Sequence, residues 1–211
     1  MTTRDKLIEG ALAAIREHGI AGVSARTIAA AAGVNQALVF YHFGSVDDLL
    51  TAACRSATAA RVGVYRARFA EVTSLRELLD LGRALHERER AEGNVAVLAQ
   101  LLAGAQSDPR LAEPTAAALG LWTVEIEAVL HRLLDGSPVA AVADPGGLAR
   151  AISAAFVGLE LFDGVDPAGA RSAFDALERL AVLVEVVDDL GPLARRAVRA
   201  RLGNLPRPPR T

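Results

Sequence analysis

The sequence is poor in the residues that would indicate several common classes of protein. It has one cysteine, Cys54, so no disulfide can form within the chain, and the cytoplasm is the expected compartment. Aromatic residues make up only 4%, and no apolar run approaches the roughly 18 residues that a membrane span needs. The N-terminal residues lack the apolar region of a signal peptide. We therefore expect a protein without disulfides or membrane-spanning segments.

The motifs of common catalytic and cofactor sites are also missing. There is no glycine-rich phosphate loop and no His/Cys cluster at metal-ligand spacing. Of the four histidines, His42 and His131 lie far apart in the sequence, with no nucleophile pattern beside them. The sequence predicts neither an enzyme nor a site for a cofactor or a metal ion.

The residues that are abundant favour a globular helical protein. Hydrophobic residues make up 52% of the 211 residues and charged residues 23%, and Ala, Leu, Val and Arg dominate, a mixture that favours helices. The chain is long enough to bury a substantial core. The net charge is −2, and residues 1–62 carry six Lys or Arg against five Asp or Glu, a net charge of +1. Neither the whole chain nor its N-terminal region therefore carries the strong positive charge that would indicate a nucleic-acid partner.

The stretch that begins at Ser24 predicts two short helices joined by a tight turn. Ser24 is a favourable N-cap for an alanine-rich helix over about 25–32. Gly33 can adopt the left-handed conformation that ends a helix, and Asn35 can cap a second helix over about 36–42. Two short helices with a glycine in the turn between them form a helix-turn-helix, whose second helix enters the major groove of DNA.

The side chains of this stretch divide into an apolar and a polar set. The apolar set is predicted to point inward and to hold the two helices at a fixed angle: Ile28, Val34, Val39 and Phe43. The other set is predicted to lie outside, on the face that would meet DNA: Arg26, Gln36, Ala37, Tyr41 and His42. Among these, Gln36 is placed to read a base edge, with adenine favoured by geometry, and Ala37 to touch a thymine methyl group.

Capping pairs and apolar periodicity predict the other helices. The pair Thr2 and Asp5 opens a first helix over 3–18. Later helices are predicted over about 45–64, 74–90, 95–106, 115–134, 146–162 and 167–189. The helix over 95–106 is apolar nearly all round, so it is expected to be buried, with Asn94 as its cap. Pro114 is expected to interrupt the helical run that starts at Pro109.

Three segments of the N-terminal region carry a resemblance to a known family. They are the Ile-Ala-x-x-x-Gly-Val that begins at Ile28, the Val-Phe-Tyr-His-Phe that begins at Val39, and the Ser-x-x-Asp-Leu-Leu that begins at Ser45. Together they resemble the DNA-binding domain of the tetracycline-repressor (TetR) family, over roughly residues 4–52. The rest of the chain fits that family only in length and helical character.

The resemblance implies an all-α protein with two domains and a regulatory function. Residues 1–50 would be the helix-turn-helix domain and residues 51–211 a helical ligand-binding and dimerisation domain. The protein would be a repressor that binds a palindromic operator in double-stranded DNA as a homodimer. The helices at about 146–162 and 167–189 would form the dimer interface. A small, apolar effector would bind among Gln100, Leu101, Trp122, Ile126 and Phe156.

Two features leave a second interpretation open. Where the family usually has a tyrosine and a lysine that contact phosphate, this chain has Phe40 and Val46, whereas Arg26, Gln36, Tyr41 and His42 match DNA-contacting positions. With the net charge of only +1, these departures allow a helical small-molecule-binding protein whose DNA-binding part is weak or inactive. Gln100 has two interpretations as well, because its amide can bond within the protein or to a ligand.

Overall fold

The fold is built from α-helices, which confirms the predicted all-α class. The computed structural model describes residues 1–141, 143–188 and 190–203. Within these ranges there are ten α-helices and no strand: α1 Thr3–His18, α2 Ala25–Ala32, α3 Ala37–Phe43, α4 Val46–Glu71, α5 Leu75–Ala91, α6 Asn94–Ser107, α7 Pro109–Leu134, α8 Pro145–Asp163, α9 Pro167–Asp188 and α10 Pro192–Gly203. Short 3-10 turns lie at Ile20–Gly22 and Pro138–Ala141.

Hydrogen bonds between neighbouring residues fix the N-termini of the first two helices at the predicted positions. Thr2 and Asp5 form a reciprocal capping box at the start of α1, and hydrogen bonds from Thr2 lower the pKa of the Asp5 carboxyl. Ser24 caps α2 by accepting a hydrogen bond from the backbone N–H of Thr27 at 3.2 Å. Gly33 ends α2 in the left-handed conformation, with φ 64°.

The next two helix starts are set by predicted residues, with a shift of one residue at α3. The Asn35 Oδ1 accepts from the Ala37 N–H at 2.8 Å, so Asn35 satisfies a free backbone donor, but α3 begins at Ala37 instead of Gln36. The Ser45 hydroxyl accepts from the Asp48 N–H at 3.0 Å and donates to the Asp48 carboxylate at 2.6 Å. The start of α4 is therefore fixed by the predicted pair of residues.

Two expectations about the middle of the chain are wrong. Asn94 does not cap α6, because Gly93 precedes the helix with φ 72° and the buried Asn94 side chain bonds to Arg16 and Glu92. Helix α6 is not buried all round, since Asn94 and Leu101 are its only buried residues. Apolar composition alone did not reveal how many neighbouring helices would pack against this segment.

Pro114 does not interrupt the helical run as predicted. Helix α7 continues through this residue from Pro109 to Leu134. A proline in a helix removes one backbone hydrogen bond and crowds the preceding turn. Here the proline is buried and its neighbour Thr115 is only 4% exposed, so tertiary packing surrounds the point where the helix would otherwise break.

The helices group into two compact units. The first unit contains Met1–Tyr65 and Arg88–Trp122, and the second contains Arg66–Glu87 and the residues from Thr123 onward. The first unit is built on an apolar cluster of α1, α2, α3 and the start of α4, in which Leu7, Ile15 and Ile28 have no exposed surface. The boundary at residue 50 that the resemblance implies stays a prediction.

The second unit is organised around the antiparallel pair α8 and α9. Asp166 opens α9 by accepting a hydrogen bond from the Gly169 N–H at 2.9 Å. Arg83 on α5 donates to Asp175 at 3.0 Å and to Glu178 at 2.7 Å, both on α9. The buried His86, also on α5, places its Nδ1 2.9 Å from the Glu160 carboxylate of α8. Helix α5 therefore contacts both members of the pair through polar side chains.

Among the described residues, no helix combines the length and the apolar character that crossing a membrane requires. No group of three or more His, Cys, Asp or Glu side chains in the same part of the chain is arranged to hold a metal ion.

Candidate nucleic-acid interface

Helix α1 supports the helix-turn-helix through a close approach that depends on a glycine. A Cβ atom on Gly10 would lie 2.8 Å from both the Cβ of Ala32 and the carbonyl oxygen of Ile28. Any larger residue would therefore push α1 away from α2. Sequence reasoning missed this role, and the available clue was a glycine inside an otherwise regular amphipathic helix.

The turn between α2 and α3 is held by apolar contacts beneath it. Ile28 and Val39 have no exposed surface, while Val34 and Phe43 are partly buried against the same cluster. The backbone N–H of Val34 donates to the carbonyl of Ala29 at 3.0 Å, which is a bond that the left-handed Gly33 allows. The inward set predicted from the sequence therefore lies where it was expected.

The predicted outer residues lie on the opposite side of the two helices. Arg26 is exposed near the start of α2, and Gln36 and Ala37 are exposed at the start of α3. Tyr41 is 80% exposed, and the half-buried His42 ring meets it edge-on, with the ring centroids 5.0 Å apart. Ala37 and Tyr41 are four residues apart and share one face of α3. Four of these five side chains are thus open to solvent.

The two departures from the family pattern have different environments. Phe40 is 50% exposed on α3, four residues after Gln36 and therefore on the same side of the helix. Val46, the first residue of α4, is partly buried and packs against the apolar cluster of the first unit. Phe40 therefore leaves an apolar ring on the predicted DNA-facing side, whereas Val46 contributes to the packing that orients α4.

Two interactions of arginines with this region were not predicted. The guanidinium of Arg4 lies over the ring of Phe43, 5.0 Å from its centroid, and so joins the start of α1 to the end of α3. Arg110 bonds to Asp47 at 3.1 Å and to Asp108 at 2.7 Å, and its hydrogen bond with Asp108 raises the pKa of Arg110. Asp47 is one of the acids in the first turn of α4, so this cation offsets negative charge at the start of that helix.

The predicted effector-binding residues do not all fall in one unit. Gln100, Leu101 and Trp122 belong to the first, and Ile126 and Phe156 to the second. The Gln100 Oε1 accepts a hydrogen bond from the backbone N–H of Ile20 at 3.0 Å, so of its two interpretations an internal partner is the one observed. Trp122 lies beside Tyr65 with ring centroids 6.0 Å apart, and Phe156 lies beside His86 at 6.5 Å.

Comparison with known proteins agrees with this geometry. Residues 7–53 match the family model described as bacterial regulatory proteins of the tetR family, a segment that contains α2, the turn, α3 and most of α1. The helix-turn-helix segment of the chain is thus similar to the N-terminal domain of TetR-family regulators. The motifs that resembled that family in the sequence lie within the matched segment.

Individual relatives cover different shares of the chain. The HTH-type transcriptional repressor AcnR of Corynebacterium glutamicum is 28% identical over 107 residues, which is 51% of this chain and 53% of that protein. The chain therefore matches about half the length of this curated relative. A solved structure from Rhodococcus sp., assigned to the TetR-family transcriptional regulators, is 25% identical with a TM-score of 0.69 and covers 86% of this chain and 97% of its own.

A further solved structure is that of the multidrug binding protein EbrR, complexed with imidazole. It is 28% identical, with a TM-score of 0.63, and covers 86% of this chain and 96% of its own. The likeness of these solved structures extends well beyond the helix-turn-helix, into the helices that follow it.

Proposed function

We propose that this protein is a transcriptional repressor that binds operator DNA as a homodimer and is controlled by a small molecule. One observation carries the DNA-binding part of the proposal. A short helix, α3, is fixed on a buried apolar cluster, and Gln36 just before it and Ala37 and Tyr41 on it are exposed to solvent. A helix held in this way can enter a major groove without rearrangement of its support.

Each exposed side chain has a role that follows from its chemistry. The Gln36 amide can donate and accept simultaneously, which suits the adenine edge in the major groove. Arg26 would bond guanine or a phosphate, and the Ala37 methyl would pack on a thymine methyl group. Tyr41 and His42 would bond phosphates and so set the register of the protein on the duplex. Phe40 has no hydroxyl for that purpose and would contact the backbone only through its ring.

The exposed apolar surface of α8 and α9 supports the dimer. From Ala151 to Phe162, the exposed positions of α8 follow helical spacing and include no charged residue, whereas Arg150 before them is exposed: Ala151, Ala154, Ala155, Gly158, Leu161 and Phe162. On α9, Leu180 is 57% exposed, Leu183 60% and Val186 54%, at steps of three residues. Contiguous apolar surface of this kind is unusual on a monomer and marks an interaction site. A second copy of the chain, packing the same two helices in a twofold arrangement, would bury it.

Control by a small molecule is proposed from the likeness to proteins that bind such molecules. The relative EbrR is described as a multidrug binding protein and was crystallised with imidazole. The candidate residues predicted from the sequence stay predictions within each unit: Gln100, Leu101 and Trp122 in the first, and Ile126 and Phe156 in the second. A ligand would alter DNA binding only to the extent that it binds one conformation of the dimer more tightly than the other.

Fluorescence anisotropy with DNA from upstream of the protein's own gene, over a series of salt concentrations, tests the DNA-binding part. We expect sequence-selective binding whose affinity falls steeply as salt rises, because counterions are released from phosphates. Weak, equal affinity for this DNA and for a pool of random duplexes would instead favour a ligand-binding protein with an inactive reading helix.

A further inference from the structure

The first unit contains a cavity that the DNA-binding proposal does not use. Its volume is about 60 Å³, and residues of α1, α4, α6 and α7 line it. The polar part of the lining includes Arg16, Thr58, Arg61, Asn94 and Thr115. The apolar part includes Leu12 from α1 and Leu101 from α6. The cavity therefore offers both polar and apolar partners to a small molecule.

One buried polar group in the lining lacks a partner. Thr115 is 4% exposed, and its Oγ1 makes no hydrogen bond to any residue that the structure describes. Leaving a buried hydroxyl unsatisfied costs roughly 1–3 kcal/mol, so such groups usually bond to water or to a ligand. Thr115 lies one residue after the buried Pro114, where α7 cannot form its regular backbone hydrogen bond.

The charges on the lining are of one sign. Arg16 and Arg61 line the cavity, and no Asp or Glu does. Arg61 pairs with Glu89 at 3.3 Å, while Arg16 donates a 3.4 Å hydrogen bond to the neutral amide of Asn94. Burial raises the pKa of the Cys54 thiol, which also lines the cavity, to about 11, so this group stays neutral near pH 7. An anion in the cavity would therefore meet the guanidinium groups of Arg16 and Arg61, and the Glu89 carboxylate would offset part of the charge of Arg61.

We propose that this cavity binds a small monocarboxylate, such as acetate or propionate. Its volume of about 60 Å³ exceeds the roughly 10–15 Å³ that one water molecule needs, which leaves room for a molecule of a few heavy atoms. The carboxylate would accept hydrogen bonds from the guanidinium groups and from the Thr115 hydroxyl. The short alkyl part would pack against Leu12 and Leu101.

The cavity lies beside α1, so a bound molecule could affect the helix-turn-helix that α1 supports. Leu12 and Arg16 belong to α1, which packs on α2 through Gly10, and Asn94 and Leu101 belong to α6. An occupied cavity would hold α1 and α6 together. An effect of the carboxylate on DNA binding rests on the proposed function. Binding of the carboxylate to the cavity does not, so it is tested without DNA.

Isothermal titration calorimetry of the full chain without DNA tests the site. We expect saturable binding of acetate and propionate, and none of chloride at the same ionic strength. Ala118→Leu should abolish binding, because Ala118 lines the cavity and a larger side chain fills it. Ala96→Leu, at an exposed position of α6, is the matched control and should bind as the unmodified chain does. No saturable binding of either carboxylate up to tens of millimolar overturns the proposal.

Thr115→Val separates a ligand-binding role from a structural one. The substitution keeps the shape of the side chain but removes the hydroxyl, so we expect the affinity for acetate to fall roughly tenfold, as for the loss of a hydrogen bond to a charged group. The melting temperature should stay the same or rise, because this hydroxyl has no partner in the described structure. Unchanged acetate affinity, or a lower melting temperature with unchanged affinity, contradicts the assignment.

Discussion

The helix-turn-helix and the pair α8 and α9 expose opposite kinds of surface. In the helix-turn-helix, Ile28 and Val39 are fully buried. Its exposed side chains are polar ones and small or aromatic apolar ones: Arg26, Asn35, Gln36 and Tyr41, with Ala30, Ala31, Ala37 and Phe40. In the pair α8 and α9, large apolar side chains such as Leu183 stay more than half exposed. The first surface suits a hydrated, charged partner such as DNA, and the second suits another apolar protein surface. Under the proposed function, the chain would thus separate recognition of DNA from self-association.

The largest effect is expected from changing the apolar surface of α9. Leu183→Glu would place a charge in the proposed interface, so we expect the dimer to dissociate at micromolar concentration while the helix content by circular dichroism stays the same. Loss of the second reading helix should weaken operator binding roughly 100-fold or more, since linked sites gain at least that factor.

The matched control for this change is Val124→Glu. Val124 is 63% exposed on α7, outside the proposed interface, and its replacement should leave both the sedimentation coefficient and the operator affinity unchanged. Equal behaviour of the two variants would mean that α9 does not form the interface.

The next largest effect concerns the support of the reading helices. Gly10→Ala introduces a methyl group against the Ile28 carbonyl and Ala32, so we expect the free energy of unfolding in urea to fall by roughly 1–3 kcal/mol, as for overpacking. Gly63→Ala is the control, because a Cβ there meets nothing within 4 Å, and it should raise stability by about 0.5–1 kcal/mol. If both variants are stabilised, the close approach of α1 to α2 is not as described.

A third change addresses base recognition. Gln36→Ala should reduce discrimination between the preferred base pair and the others by about 1–3 kcal/mol, because one bidentate contact is lost. The fold should be unaffected, since the Gln36 side chain is exposed. Selectivity can be measured by anisotropy across operator variants, with Gln106→Ala, an exposed glutamine on α6, as the control. Unchanged selectivity would remove Gln36 from the reading face.

The smallest effect is expected at the start of α4. Val46→Lys restores the cation that the family usually has, so binding to all DNA sequences should tighten a few-fold at low salt. The slope of log affinity against log salt concentration should steepen by about one, as for one added phosphate contact. Val46 is partly buried, and the lysine stem can cover the same apolar surface while its amine reaches solvent. Affinity that does not change at low salt would show that this residue does not face a phosphate.

Local chemistry explains which features the sequence predicted. Ser24 and Gly33 set the ends of α2 through bonds within a few residues, and so both were identified correctly. The inward position of Ile28 and Val39 followed from helical periodicity. The exposed face of the reading helix is the complement of that pattern, although the roles of its individual residues stay predictions.

The features that were missed depend on distant residues. Gly10 matters because of Ala32, Arg4 because of Phe43, and Asn94 because Arg16 reaches it from α1. Helix α6 was expected to be buried because its composition is apolar, but burial depends on how many helices pack around it. The cavity beside Thr115 likewise requires four helices to be placed before it can be recognised.

The measurement that tests the central claim most directly compares a complete palindromic operator with a duplex that carries only one half-site, both obtained by selection from random DNA. A dimer that places two α3 helices in successive major grooves should bind the complete site with two chains per duplex, and the half-site roughly 100-fold more weakly or worse. Equal affinity for the two duplexes, with one chain bound to each, would contradict the account.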